Sequence, residues 1–566
     1  MRNRRSLPTS TAIAAVLSLA CAGGAGQTQR APAQPVPATG VSAQFVQARP
    51  APAQFDVRAF GAKGDGVTID SDAINRAIEA AVAAGGGTIH FPAGTYASHS
   101  IRLKSHVGLH LDQGAVLLAA DTANGRGYDP AEPGAGNAFQ DFGHSHWHNS
   151  LIWGENVEDV SITGPGRIDG KGLSRGLGGR AEDVNTHAGQ ANKAIALVRA
   201  RNVLLRDFSI YRGGHMSILA TGVDNLTIDN LTIDTNRDGI DVDACRNVRI
   251  SNTSVNAPND DAIVLKSSYA LGEARTTENV AITNSVVSGF DVGTVLDGTY
   301  GRTTTAAPDR DGPTGRIKLG TESNGGFRNI VISNVVFMRS RGLALETVDG
   351  ALLEDVTISN VTMREVSNAP IFLRLASRMR GPANTPVGAL RRISISNVTV
   401  YDADPRYPSM IVGIPGHRIE DVRLSNIRVY SRGGLSLDIV GKQPPELVNN
   451  FFRPPGGNPP RDPFAVPERE TMYPEPSLLG LLPAFGFYVR HASNIRLDGV
   501  ELGVMMPDTR PAIMLDDVRD VELHGVRAQT APKTPTLVLR DVDELRVVHS
   551  RPLADSYVKH AARQSF

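Results

Sequence analysis

Apolar and polar residues alternate in short runs along most of the chain, and the runs repeat. Asn202-Val-Leu-Leu-Arg-Asp207, Asn225-Leu-Thr-Ile-Asp-Asn230 and Asn247-Val-Arg-Ile-Ser-Asn252 are copies of one pattern, stepped by 23 and then 22 residues. Alternation with a period of two predicts strands that bury one face. A constant step of this size predicts stacked coils, none of which can cover its apolar side alone. The pattern returns at Asn279-Val-Ala-Ile-Thr-Asn284, Asn329-Ile-Val-Ile-Ser-Asn334, Val356-Thr-Ile-Ser-Asn360, Ile393-Ser-Ile-Ser-Asn397 and Val422-Arg-Leu-Ser-Asn426, with longer steps that place loops in single coils. It resumes near Phe485 and runs on through Leu537-Val-Leu539, so the expected domain is one solenoid over residues 55–560. Several of the recurring asparagines, among them Asn225, Asn230, Asn252, Asn360 and Asn397, fall in Asn-x-Ser/Thr triplets. Their period predicts turn residues that bond to the next coil rather than glycan acceptors.

One stretch breaks the two-residue period early. Ser71 to Ala84 spaces Ile74, Ala77, Ile78 and Ala81 as an amphipathic helix, with Ser71 the expected cap residue. A helix there would cover the apolar end of the solenoid. Residues 441–478, with proline pairs at 444, 454 and 459, form the longest irregular insertion and are expected to wall one end of a groove. Before the solenoid, Arg2, Arg4 and Arg5 precede an apolar run from Ala12 to Ala20, so residues 1–22 read as an export signal too short to span a membrane. Arg4-Arg5 allows a twin-arginine route and Cys21 allows lipidation. Residues 23–54 read as a disordered Pro/Ala-rich linker. The expected location is periplasmic or secreted.

Composition narrows the class. The 58 basic residues balance 58 acidic ones, and no basic stripe points to nucleic acid. With 57 Gly, 35 Pro and few aromatic residues, many short strands joined by turns are favoured over helices. Cys245 is the sole thiol besides Cys21, and its expected place is the core.

Candidate chemistry gathers between the repeat copies, at Asn236-Arg-Asp238-Gly239 and Asn259-Asp260-Asp261. Asp238 and Asp260 differ by 22 residues, one repeat, so three carboxylates should meet on one surface of neighbouring strands about 4.8 Å apart. Fanning side chains could open the roughly 6.5–9.5 Å gap that an inverting glycosidase uses to hold water between acid and base. Like charges this close cannot all ionise, so at least one carboxyl should keep its proton near neutrality. Adjacent Asp260 and Asp261 can serve one groove only at a strand end or bulge. His215, one rung before Asp238, and Lys266, just after the pair, are candidate sugar contacts. His144-Ser-His-Trp-His148 fits a sugar-stacking rim better than a metal site. No metal or cofactor is expected.

These residues resemble glycoside hydrolase family 28, the polygalacturonases. The opening FGAKGDGVTID with its helix and GGGTIHFPAGTY looks like the family's amino-terminal cap, and Gly164-x-Gly-x-Ile-Asp-Gly170 with the two aspartate motifs is the more specific match. The resemblance implies an all-β, right-handed parallel β-helix. It implies Asp260 as the acid that protonates the leaving oxygen, with Asp238 and Asp261 holding and deprotonating the attacking water. The chain departs from the family where a Gly-His-Gly and then an Arg-x-Lys would follow the aspartates. Thr314-Gly-Arg316-Ile-Lys318 stands about one coil too early, and Ala344 and Glu346 occupy the cation positions, so Arg316, Lys318 and Glu346 are candidate substrate contacts. Losing the cationic clamp points away from plain homogalacturonan and toward a different or differently linked sugar. The expected protein is thus an inverting glycoside hydrolase, monomeric and without a membrane span, acting on a pectin-type, galacturonic acid-containing or related polysaccharide. A β-helix lyase with a calcium-binding trio, or a β-helix that only binds glycans, are the alternatives.

Overall fold

In the computed structural model, residues 53–122, 127–132, 138–139, 144–174, 189–452 and 454–566 are described. The export signal and nearly all of the linker therefore lie outside the described residues. The alternating runs wind into a right-handed parallel β-helix. From Lys193 each coil contributes three strands, and each strand pairs in parallel with the strand three elements later. Lys193–Val198 pairs Met216–Thr221, Arg201–Arg206 pairs Asp224–Asp229, and Ser209–Tyr211 pairs Thr232–Asp234. From Thr277–Ser288 onward the second and third strands of a coil fuse into one bent strand, as in Phe327–Met338 and Leu352–Val366.

The register explains why the sequence repeats. Ile195, Ile218, Ile240, Ile263, Ile317, Leu343 and Ile371 lie over one another on successive rungs. All are buried. Full burial of such a side chain stabilises by roughly 1.5–3 kcal/mol, so each coil is held chiefly by the apolar stack on either side. Cys245 joins this core, as expected.

Both ends are covered. The helix Ser71–Ala83 buries Ala73, Ile74, Ala77, Ile78 and Ala81 against the first coils. Ser71 does not cap it. The cap position is Asp70, whose carboxylate accepts from the backbone N–H groups of Lys63 and Gly64, while the Ser71 hydroxyl accepts from the His99 N–H. At the other end Ser556–Ser565 turns back antiparallel on Leu537–Val548 and occupies the open edge, the kind of cover that stops edge-to-edge association.

The asparagines stack. Asn225 donates to Asn202, Asn247 to Asn225, Asn279 to Asn247 and Asn329 to Asn279, at 2.8–3.3 Å. A second ladder climbs from Asn284 through Asn334, Asn360 and Asn397 to Asn426. Every one of these residues has φ between 52° and 58°, a left-handed turn that asparagine tolerates better than most residues. Replacing Asn247 by Ala should therefore cost about 2 kcal/mol, from two ladder hydrogen bonds and the left-handed backbone. Asn247→Gly should recover the backbone share. Urea midpoints of the two variants test this, and an alanine variant as stable as the parent would remove the ladder from the account.

Candidate active site

Asp260 and Asp261 lie in the turn that enters the strand Ile263–Ser267, and Asp238 opens the strand Asp238–Asp243 one rung earlier. The strand-end condition that lets two adjacent aspartates serve one groove is thereby met. The ladder pairs Ile240 with Ile263, which carries Asp238 onto Asp261 rather than Asp260. Consistent with this, the Asp261 N–H donates to Asp238 Oδ1 at 3.2 Å, and Asn259 donates to Asn236 at 2.7 Å. Asp260 instead meets Arg237 in a short ion pair. Each of the three carboxyl groups offers one oxygen to a cluster whose members lie within 4.8 Å of one another.

Charge separates the three. Arg316 Nε lies 2.6 Å and Lys318 Nζ 2.8 Å from the Asp261 carboxylate. Burial alone would raise Asp261, yet the two cations outweigh it and hold the group well below the usual range. Asp238 goes the other way. Burial first, then the negative charges of Asp260 and Asp241, push it well above an ordinary aspartate. The trio thus holds one anion pinned by two cations and one carboxyl disposed to keep its proton.

A second cluster supports the first. Lys266 lies 2.8 Å from Asp241 and touches His144, with Glu322 at 3.9 Å. Asp241, raised by burial and lowered by Lys266, stands near 6. His144, Asp238 and Asp241 could group around a cation, as could Asp238, Asp260 and Asp261. In both places ammonium or guanidinium groups already contact the carboxylates, so a divalent ion would have to displace them.

The cavity above the trio, about 230 Å³, is walled by the insertion and reached by His144 from the loop before the coils. Toward the carboxy terminus the insertion folds back onto the rungs. Its Val466, Leu479 and Leu482 pack with Ala344, Phe372, Met410, Tyr488 and Met514, the outward face of the next coils. Phe451, Phe452, Tyr473 and Glu475 reach the cavity itself, with Phe452 stacked on Tyr473 at 4.7 Å. Toward the amino terminus Trp147 is buried over Ala196, Val198, Met216 and Leu219, its Nε1 donating to Thr221 Oγ1 at 3.0 Å. The expected histidine–tryptophan rim is therefore a plug. His146 bonds the Glu132 carbonyl and His148 bonds Glu155, and His144 alone of its histidines lines the cavity.

Of the candidate contacts, His215, Lys266, Arg316 and Lys318 line the cavity. The ladder sets Met216 opposite Asp238, so His215 aligns with Arg237 instead, and burial with Arg237 nearby keeps its imidazole neutral. Arg316 and Lys318 sit on the rung directly after Asp261 and grip that carboxylate. Glu346 is a correction. It is 0 % exposed and does not line the cavity, because the insertion covers its rung. Burial pushes it to about 8 despite Lys318 and Arg316, and neither oxygen has a hydrogen-bond partner among the described residues. Residues that sequence reasoning missed are Arg237, which the Asn-Arg-Asp turn could have flagged, and Asp309, Tyr473 and Glu475, for which no periodic signal exists.

Residues 54–128 match the model for Rhamnogalacturonase A/epimerase, pectate lyase-like, and residues 134–300 match Glycosyl hydrolases family 28. A probable polygalacturonase of Vitis vinifera is 26 % identical over 334 residues, covering 54 % of this chain and 60 % of that protein. An exo-poly-alpha-D-galacturonosidase of Dickeya chrysanthemi is 25 % identical over 414 residues, covering 66 % and 65 %. The chain thus spans a little under two thirds of these relatives' lengths. The structure of a Yersinia enterocolitica family 28 exopolygalacturonase superimposes with a TM-score of 0.59 at 18 % identity, over 84 % of this chain and 79 % of that one, a likeness of fold.

Glu346 makes a stability prediction. Its ordinary value is 4.5 and its folded value about 8, so the fold carries no penalty from it below 4.5 and loses stability as pH rises toward 8, by up to about 5 kcal/mol. Glu346→Gln should flatten that decline. Melting temperatures of parent and variant at pH 5 and pH 8 check it, and parallel declines would show that Glu346 does not hold its proton in the fold.

Proposed function

We propose that this polygalacturonase-like chain, with its family 28 segment at residues 134–300, is an inverting, exo-acting glycoside hydrolase on a pectin-type or related polysaccharide. The observation that carries the reading is the aspartate trio in a cavity closed on its carboxy-terminal side by the insertion, whose Phe451, Phe452, Tyr473 and Glu475 line it opposite His144 and His215. A groove open at both ends passes a polymer through, whereas this cavity, smaller than the roughly 300–1,000 Å³ of drug-sized sites, suits the end of a chain. The Dickeya relative's name, an exo-acting galacturonosidase, agrees with that mode.

In this mechanism Asp238 and Asp260 share the proton that reaches the leaving glycosidic oxygen. Assigning it to the pair respects their closeness and departs from the family-implied role of Asp260 alone, since Asp260 is already engaged in an ion pair with Arg237. Asp261, held ionised by Arg316 and Lys318, takes a proton from water as that water attacks the anomeric carbon from the opposite face. Water's oxygen ends on the sugar and the bond to the leaving oxygen breaks. Export remains part of the proposal through Arg2, Arg4, Arg5 and the apolar run after them. Among the described residues no helix is long and apolar enough to cross a membrane.

Chromatography of the digest should show a single sugar released from the first time point, with viscosity falling slowly. Proton NMR should show the product born with the anomeric configuration opposite to the bond cleaved. Early oligomers would overturn the exo mode, and a retained anomer would overturn inversion. Asp261→Asn should lower kcat by about 10²–10⁴ on polymer and on an aryl glycoside alike. Asp238→Asn and Asp260→Asn should lose far less on the aryl glycoside, whose leaving group needs no proton. Equal losses on both substrates would contradict the division of roles.

A further inference from the structure

We infer that the cavity accepts a terminal sugar without a carboxylate, so that any uronic acid of the polymer lies beyond the cleaved bond. The inference rests on the hydrolase reading and narrows its substrate. Among the described residues five permanent cations line the cavity, and each is in contact with a carboxylate of the chain itself. Arg237 meets Asp260, Lys266 meets Asp241 at 2.8 Å, Arg316 and Lys318 meet Asp261 at 2.6 and 2.8 Å, and Arg341 meets Asp309 at 2.6 Å. Arg316 and Arg341 also share Glu475, at 3.2 and 3.4 Å. His215 adds no charge, being neutral by burial and its cationic neighbours.

Against these five cations the same wall carries six carboxyl groups, Asp238, Asp260, Asp261, Asp309, Glu322 and Glu475, of which Asp238 is disposed to keep its proton. A galacturonate entering here would bring another negative charge into a site where every guanidinium and ammonium of the described residues is already engaged. Breaking one of those buried pairs to free a cation leaves a carboxylate buried without a partner, a strongly unfavourable exchange. An uncharged ring makes no such demand. Its hydroxyl groups can bond to the rims of the ion pairs, and its apolar face finds Phe451, Phe452, Tyr473 and Pro308. Phe451 is 41 % exposed, an aromatic edge that a sugar ring would cover. Arg316 and Lys318 thus have a different employment from a substrate clamp. They are spent on Asp261.

The test uses the full chain and calorimetric titration of free monosaccharides, with rhamnose, xylose and galactose as neutral probes and galacturonic acid as the charged one. Matched nitrophenyl glycosides provide the activity arm. At least one neutral sugar should bind at least tenfold tighter than galacturonic acid, and its glycoside should be the one cleaved. Asp309→Asn, which leaves Arg341 only the Glu475 carboxylate at 3.4 Å, should strengthen galacturonic acid binding by about tenfold relative to neutral sugars. Circular dichroism and a melting curve establish that the variant is folded, and Glu475→Gln, which takes one of two carboxylates from each of Arg341 and Arg316, is the second route to the same gain. Preferred binding or cleavage of galacturonic acid by the parent would overturn the inference and leave the hydrolase reading intact. Absence of cleavage on every glycoside and on every pectic polymer tried would overturn the hydrolase reading itself, and this inference with it.

Discussion

The contact on which the site depends is the grip of Arg316 and Lys318 on Asp261 across one rung of the helix. Without it, three carboxyl groups whose oxygens approach within 4.8 Å would compete for protons with no rule for who keeps one. With it, Asp261 is committed to the ionised form, and its charge, added to that of Asp260, helps to keep Asp238 protonated. Division of labour between acid and base then needs no separate device. It follows from which aspartate faces the cations of the following coil and which is buried behind its neighbours.

Rung geometry makes that possible. A coil of 22 or 23 residues returns the chain to a strand about 4.8 Å away, so residues far apart in sequence become neighbours at a fixed height. The apolar stack from Ile195 to Ile371 sets the register, and the asparagine ladders hold the turns that let each coil close. Long excursions, such as the one between Gly289 and Thr314, leave the stack undisturbed because Ile317 still lies on Ile263. The core thereby tolerates loops, and the loops are free to build walls around the trio.

Much of this is legible in the chain. The alternating runs and their asparagines disclose the solenoid, and the spacing of the two aspartate motifs discloses that they meet. A one-residue difference between coils hid the finer alignment, pairing Asp238 with Asp261 and Arg237 with Asp260. The proline-rich insertion announced a wall, but which of its residues would meet which rung could not be read. Tyr473 meets Lys318 from 155 residues away, and Val466 and Leu482 settle on Phe372 and Met410 with no periodic signal to announce it. The same cover turned Glu346 from an apparent groove residue into a buried acid. A site whose floor is repetitive and whose walls are not will be half visible in its sequence, because repetition is the visible part.

The central claim is that Asp238 holds a proton which Asp261 does not. Infrared difference spectra at pH 7 between the parent and each asparagine variant address it directly, since a protonated carboxyl has its own carbonyl stretch. The account predicts that Asp238→Asn removes a protonated-carboxyl band and that Asp261→Asn removes only a carboxylate band. Loss of the protonated band in Asp261→Asn, with Asp238→Asn losing a carboxylate instead, would contradict it.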